Sequence, residues 1–139
     1  MQSPNSFVFD SFALIGFLEN ESFSDRIQHI LVQAKNRQVL LYIHAIHIGE
    51  VYYITLREQG KSIADLAYAR IKALPIKVIE LIDEDLLLVA AGLKATYPIS
   101  YADSFAAALA LIKGCPLLTG DPEFAALENQ GKISIEWLE

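Results

Sequence analysis

Cysteine is almost absent: Cys115 is the one thiol in 139 residues. No internal disulfide is possible, and the composition fits a reducing compartment. Cys115 stands before Pro116 with no His near it in sequence, so it reads as a small buried residue rather than a nucleophile. Basic residues are scarce too. Eleven Lys and Arg against seventeen Asp and Glu leave a net charge of −6. That argues against a protein that coats nucleic acid through a basic face. It does not exclude a nuclease, because a bound metal offsets the charge of an acidic site. An acidic surface also suits a basic peptide partner. No apolar run reaches the length of a membrane span, and Lys, Glu or Gly break the longest ones. The opening MQSPNSFVFD has neither the charged region nor the long apolar region of a secretory signal. The expected setting is cytoplasmic and off the membrane. H-E-x-x-H, G-x-S-x-G and P-loop motifs are missing as well.

What the chain has in quantity is apolar residues, 53% of the total, enough for one real core. A single domain over residues 1–139 is expected, with no linker, repeat or biased segment. Strand and helix signals alternate. Phe7 to Phe9, Val39 to Ile43, Lys77 to Leu81, Pro116 to Thr119 and Ile133 to Trp137 read as strands. Ser11 to Leu18, Asp25 to Asn36, Ile46 to Gln59, Ser62 to Leu74, Asp83 to Ala95, Asp103 to Lys113 and Glu123 to Leu127 read as helices. Ser62 and Asp83 serve as N-caps, and Gly60 and Gly114 as stops. The order β-α-α-β-α-α-β-α-α-β-α-β implies an α/β fold, a parallel sheet covered by helices on both faces. In such sheets ligands bind beyond the carboxyl ends of the strands.

Four acids are placed to meet there. Asp10 in FVFDSFALIGFL and Asp121 in LLTGDPEF directly follow strand signals. Glu50 in IHIGEVYYI and Asp103 in SYADSFAAALA sit in apolar helical stretches, where a charge is expensive. Each has a plain structural explanation. Asp10 caps the helix at Ser11, Asp121 caps a turn with Pro122 at its first position, and Asp103 forms a capping box with Ser100. Glu50 has no cap role. Its plain reading is a solvent-facing side chain paired with His47 one turn earlier. The joint pattern weighs more than its parts. Four such carboxylates on one edge repel one another unless a divalent cation joins them. Oxygen-only ligation suits Mg²⁺ or Mn²⁺ better than zinc. The chemistry that follows is metal-assisted phosphodiester hydrolysis. His44 and His47 read as ordinary polar positions, and Tyr52 and Tyr53 as packing or interface residues.

At these residues the chain resembles a PIN domain, in particular the VapC-type toxin ribonucleases. Four blocks in order carry the likeness, FVFDSFALIGFLENE, GEVYYI, YADSFAAALA and LLTGDPEF, with a final IEWL. The resemblance implies a three-layer α/β/α fold whose central parallel sheet of about five strands is ordered 3-2-1-4-5. It maps the family's acids onto Asp10, Glu50, Asp103 and Asp121. It maps a hydroxyl residue onto Thr119 and a small polar residue onto Ser11, both placed to hydrogen-bond the acids. It implies Mg²⁺- or Mn²⁺-dependent cleavage of RNA, a homodimer and a cognate antitoxin. His44 departs from the pattern, since many relatives have Ser or Thr six residues before the helical Glu.

In this reading Asp10, Asp103 and Asp121 hold the metal, while Glu50 completes the set or takes a proton from the attacking water. The apolar residues of Asp83 to Ala95 and Ser104 to Ile112 add a physical reason for a two-fold dimer. Two rivals stand beside the nuclease. One is a catalytically weak PIN-like protein that binds RNA or a partner. The other is an aspartyl-phosphate protein, which ranks low because no second acid follows Asp10 at two residues and no adjacent acids follow the first strand.

Overall fold

A computed structural model describes residues 5–138. The single-domain expectation, over residues 1–139, includes residues 1–4 and 139, which lie outside the described set. The strands are β1 (Asn5–Phe9), β2 (Val39–His44), β3 (Lys77–Ile79), β4 (Leu117–Thr119) and β5 (Ile135–Trp137). The helices are α1 (Ser11–Leu18), α2 (Ser24–Lys35), α3 (Ala45–Gln59), α4 (Lys61–Lys72), α5 (Glu84–Thr96), α6 (Tyr101–Lys113) and α7 (Ala125–Asn129). A 3-10 turn, Pro122–Phe124, precedes α7. The five strands form one sheet in the order β3-β2-β1-β4-β5, parallel at every pairing. This is the α/β architecture expected, strand order included.

Strand alternation divides the interior. Val8 and Leu117, paired in register, face a core built from α5, α6 and α7, with Phe105, Leu109, Phe124 and Leu127. The next residues, Phe9 and Leu118, face the opposite core, with Leu14, Ile27, Ile48 and Val51. Successive side chains on a strand point to opposite faces, so one short pairing feeds both cores. Burial of all four of these strand residues is complete.

Local chemistry explains most boundaries, and some differ from expectation. α4 starts at Lys61, so its cap is Gly60 at φ 88°, not Ser62. That φ is one glycine tolerates well, and it lets α3 fold straight back into α4. α6 starts two residues earlier than expected, because Ser100 Oγ accepts the Asp103 N–H at 3.1 Å and opens the helix at Tyr101. It ends at Gly114, φ 65°, the left-handed stop expected there. Asp83 caps α5 through the Leu86 N–H at 2.9 Å. Among the described residues no helix is long and apolar enough to cross a membrane.

Candidate active site

β1 and β4 are neighbours, so the residues just beyond them emerge side by side. Asp10 turns the chain from β1 into α1. Its Oδ1 accepts the Ala13 N–H at 2.9 Å, and its Oδ2 accepts the Thr119 hydroxyl at 2.5 Å. Thr119 Oγ1 in turn accepts the Asp121 N–H at 3.0 Å. A relay of three bonds thus joins the end of β1 to the end of β4. Gly120 makes the intervening turn possible. A Cβ there would come within 2.6 Å of the Phe12 ring and 3.0 Å of the Leu138 carbonyl oxygen. Asp121 caps the 3-10 turn by accepting the Glu123 N–H at 2.9 Å, with Pro122 in the first position. The cap roles expected of Asp10 and Asp121 are therefore real, and each carboxylate oxygen keeps a second lone pair for a ligand.

Asp103 projects from the first turn of α6. One carboxylate oxygen from each of Asp103, Asp121 and Glu123 can be chosen so that all lie within 4.8 Å of one another. The Glu123 side chain hydrogen-bonds the Asp103 carboxyl and helps to raise its pKa. Glu123 had been read only as a first-turn helix residue. The one hint was its place two residues after Asp121 across a proline. Glu50 reaches the same edge from α3, where it bonds the Ser11 side chain and not His47. Its Oε1 is buried and has no protein partner.

Electrostatics confirms how close these groups are. Asp10 is raised to about 7, first by burial and then by the charges of Asp103 and Asp121, against the pull of its bonds to Thr119 and Ala13. Asp103 is likewise raised to about 7, by burial first, with Glu123, Asp121 and Glu50 adding to the rise. Burial raises Glu50, and its bond to Ser11 opposes the shift. The ion pairs found among the described residues, Arg26–Glu136 and Lys61–Asp65, lie elsewhere. Crowded oxygens, raised pKa values and a buried carboxylate oxygen without a partner suit a hard divalent cation.

The histidines are not ordinary polar positions. His44 is 1% exposed and caps α3: its Nδ1 accepts the Ile46 N–H at 3.1 Å. Its Nε2 therefore carries the proton and donates to the Leu81 carbonyl at 3.1 Å. His47 is fully buried, and its Nε2 donates to the Ala102 carbonyl at 2.8 Å. Burial lowers its pKa to about 4, so the ring is neutral.

A PIN domain model matches residues 7–130. The chain belongs to the PIN domain family. Solved structures with the same fold include VapBC2 from Rickettsia felis bound to promoter DNA, at 12% identity and TM-score 0.75, covering 96% of this chain and 99% of that one. The DNA-bound VapBC of Salmonella typhimurium matches at 15% identity and TM-score 0.72, covering 95% and 97%. VapC20 of Mycobacterium tuberculosis, described as a sarcin-ricin loop cleaving toxin, matches at 18% identity and TM-score 0.66, covering 88% and 94%. No curated protein matches. At these identities the structural likeness establishes the fold of this PIN domain; its chemistry must be argued from its own residues.

Proposed function

We propose that this PIN domain is a Mg²⁺- or Mn²⁺-dependent endoribonuclease, the toxin of a type II toxin–antitoxin pair. The observation that carries the reading is the knot of carboxylates at the β1/β4 edge, where burial first and neighbouring carboxylates second raise the pKa of Asp10 and of Asp103 to about 7, with no Lys or Arg paired to them among the described residues. Asp10, Asp103 and Asp121 would hold the ion, and Glu123 and Glu50 complete the acidic wall. A divalent ion in that place supplies charge neutralisation at a phosphodiester and a more acidic water.

The chain's own residues do the rest. Thr119 and the Ala13 N–H fix the Asp10 carboxylate, so its remaining lone pairs keep a constant direction. Ser11 holds Glu50 through a hydrogen bond. The unpartnered Glu50 Oε1 would be the acceptor that takes a proton from an attacking water. Burial that raises the Glu50 pKa makes that transfer more favourable.

Partners follow the same reading. Relatives of this fold include a toxin–antitoxin complex from Klebsiella pneumoniae and FitAcB from Neisseria gonorrhoeae, which supports a cognate antitoxin here. The faces of α5 and α6 support a homodimer, since Leu87, Leu88, Leu111 and Ile112 are all more than 40% exposed. The deciding experiment is cleavage of RNA that stops with EDTA and returns with Mn²⁺. A pure, folded protein that binds RNA without cutting it under any divalent ion would sink the nuclease reading and favour a binding role.

A further inference from the structure

We propose that His47 is a positioning residue whose Nε2–H, bonded to the Ala102 carbonyl, sets the separation between the wall carrying Glu50 and the wall carrying Asp103. The inference rests on the metal-dependent reading above and names what keeps that site in register. Ala102 immediately precedes Asp103, and Glu50 lies one helical turn beyond His47. The 2.8 Å bond spans 55 positions of sequence. It therefore ties the backbone under one acid to the helical turn under the other.

The tie matters because the two helices belong to different layers. α3 sends Ile48 and Val51 into the core beneath Phe9 and Leu118. α6 sends Phe105 to Ala110 into the core beneath Val8 and Leu117. α3 also meets the α6 core through Ile46, and the His47 bond adds a directional tie to that packing. The carboxylates between them repel, which pushes the two walls apart. A buried bond across the gap resists that push.

His44 has two satisfied ring nitrogens and is explained by its cap. His47 is different. Its Nδ1 is buried without a partner, a defect that an apolar side chain would avoid. The Ala102 carbonyl does not need the extra donor, because carbonyls in the first turn of a helix already accept an intrahelical N–H. The carbonyl does not require the bond, and the His47 N–H requires it only because a histidine stands where an apolar side chain would need none, which points to the alignment the bond enforces.

Three variants test this by Mn²⁺ titration calorimetry at pH 7.5, alongside urea unfolding of the metal-free protein. His47→Leu fills the space without a donor. His47→Asn places its amide nitrogen one bond too near the backbone. His47→Gln places its amide nitrogen the same number of bonds from Cβ as the imidazole Nε2. The Leu and Asn variants should bind Mn²⁺ about tenfold or more weakly, and Gln should stay within about threefold of the wild type, as for losses of partners behind a metal ligand. The urea midpoints should not follow that order. Wild-type affinity in the Leu variant, a Gln variant as weak as Leu, or midpoints that fall in step with affinity would each overturn the proposal. A wild-type protein with no Mn²⁺ binding would overturn the metal reading and this inference with it. Wild-type binding left unchanged by the Leu substitution would remove this inference alone.

Discussion

Carboxylates on the outer surface and carboxylates at the β1/β4 edge are handled in opposite ways. Outside, Glu136 meets Arg26 at 2.6 Å, and Asp65 meets both Lys61 Nζ and Tyr52 Oη at 2.6 Å. Glu128 takes the Trp137 indole N–H at 3.1 Å. At the edge, Asp10, Glu50, Asp103 and Asp121 have amide or hydroxyl donors, and among the described residues no Lys or Arg pairs with them or with Glu123. Arg26 and Lys61 neutralise two exposed acids from within the chain; Asp10, which is buried, and Glu50, Asp103 and Asp121, which are partly buried, are left for protons or for a cation from solution. Burial normally demands the reverse, because a buried charge needs its partner more than a surface charge does. The inversion is what a cation-binding edge would show, and it supports the proposed site.

The strongest way to break that contrast is to remove one edge charge without changing shape. Asp103→Asn should lower Mn²⁺-dependent RNA cleavage on the order of 10³-fold, within the range for losing a group that acts on the reacting centre. The Ser100 cap uses the Asp103 backbone N–H and survives the change. Turnover close to the wild type would remove Asp103 from the site.

Next in size is the metal-free stability of Asp10→Asn. The Asp10 pKa is about 7 in the fold and about 3.9 when unfolded. A raised carboxyl pKa means the folded state binds the proton more tightly. The penalty is absent below the unfolded value, grows between pH 4 and 7, and is complete above 7. It amounts to about 4 kcal/mol at most. Asp10→Asn should therefore stabilise the metal-free protein above pH 7, flatten its pH dependence between 4 and 7, and weaken stabilisation by Mn²⁺. Thermal melts across that range decide it; an unchanged Mn²⁺ shift would leave Asp10 as a helix cap alone.

His47 produces a slope of the opposite sign. Its pKa falls from 6.5 to about 4 on folding, so the unfolded state binds the proton more tightly. Its stabilising contribution is complete above pH 6.5 and disappears as pH falls through 4, a change of about 3 kcal/mol. His47→Leu should remove that acid-side loss in urea titrations at pH 7 and pH 4.5. The smallest effect belongs to the outer surface. Glu136→Gln should change stability by less than about 1 kcal/mol, as expected for an exposed pair, and should leave Mn²⁺ affinity untouched. A drop in affinity there would show that the two regions are not independent.

The fold was readable because its signals are local. Val39 to Ile43 is apolar and β-branched, Gly114 takes a left-handed stop, and Asp83 caps its helix, so each element announces itself within a few residues. The positions of Asp10 and Asp121 were readable for the same reason, since they lie one and two residues past strand ends and parallel sheets bind at that edge. Glu123 was not. It enters the cluster only because the Asp121-Pro122 turn aims it at Asp103, a residue from another element. His44 and His47 were misjudged because their partners, Leu81 and Ala102, lie 37 and 55 positions away. Nothing in the spacing H-A-I-H reveals which carbonyls those rings will meet.

The Thr119–Asp10 bond, across 109 positions of chain, also sets an order in time. During synthesis β1 gains β2 as a neighbour early, yet its other flank stays open until β4 is made. At typical elongation rates that interval is about 4–15 s. Throughout it Asp10 lacks the hydroxyl that aims it, and Asp121 and Glu123 do not yet exist. The nascent chain therefore carries an incomplete acidic cluster for that interval. Hydrogen exchange on chains stalled on the ribosome before β4 checks this order: amides of β1 and β2 should already be protected, and their full exposure would remove the staged assembly.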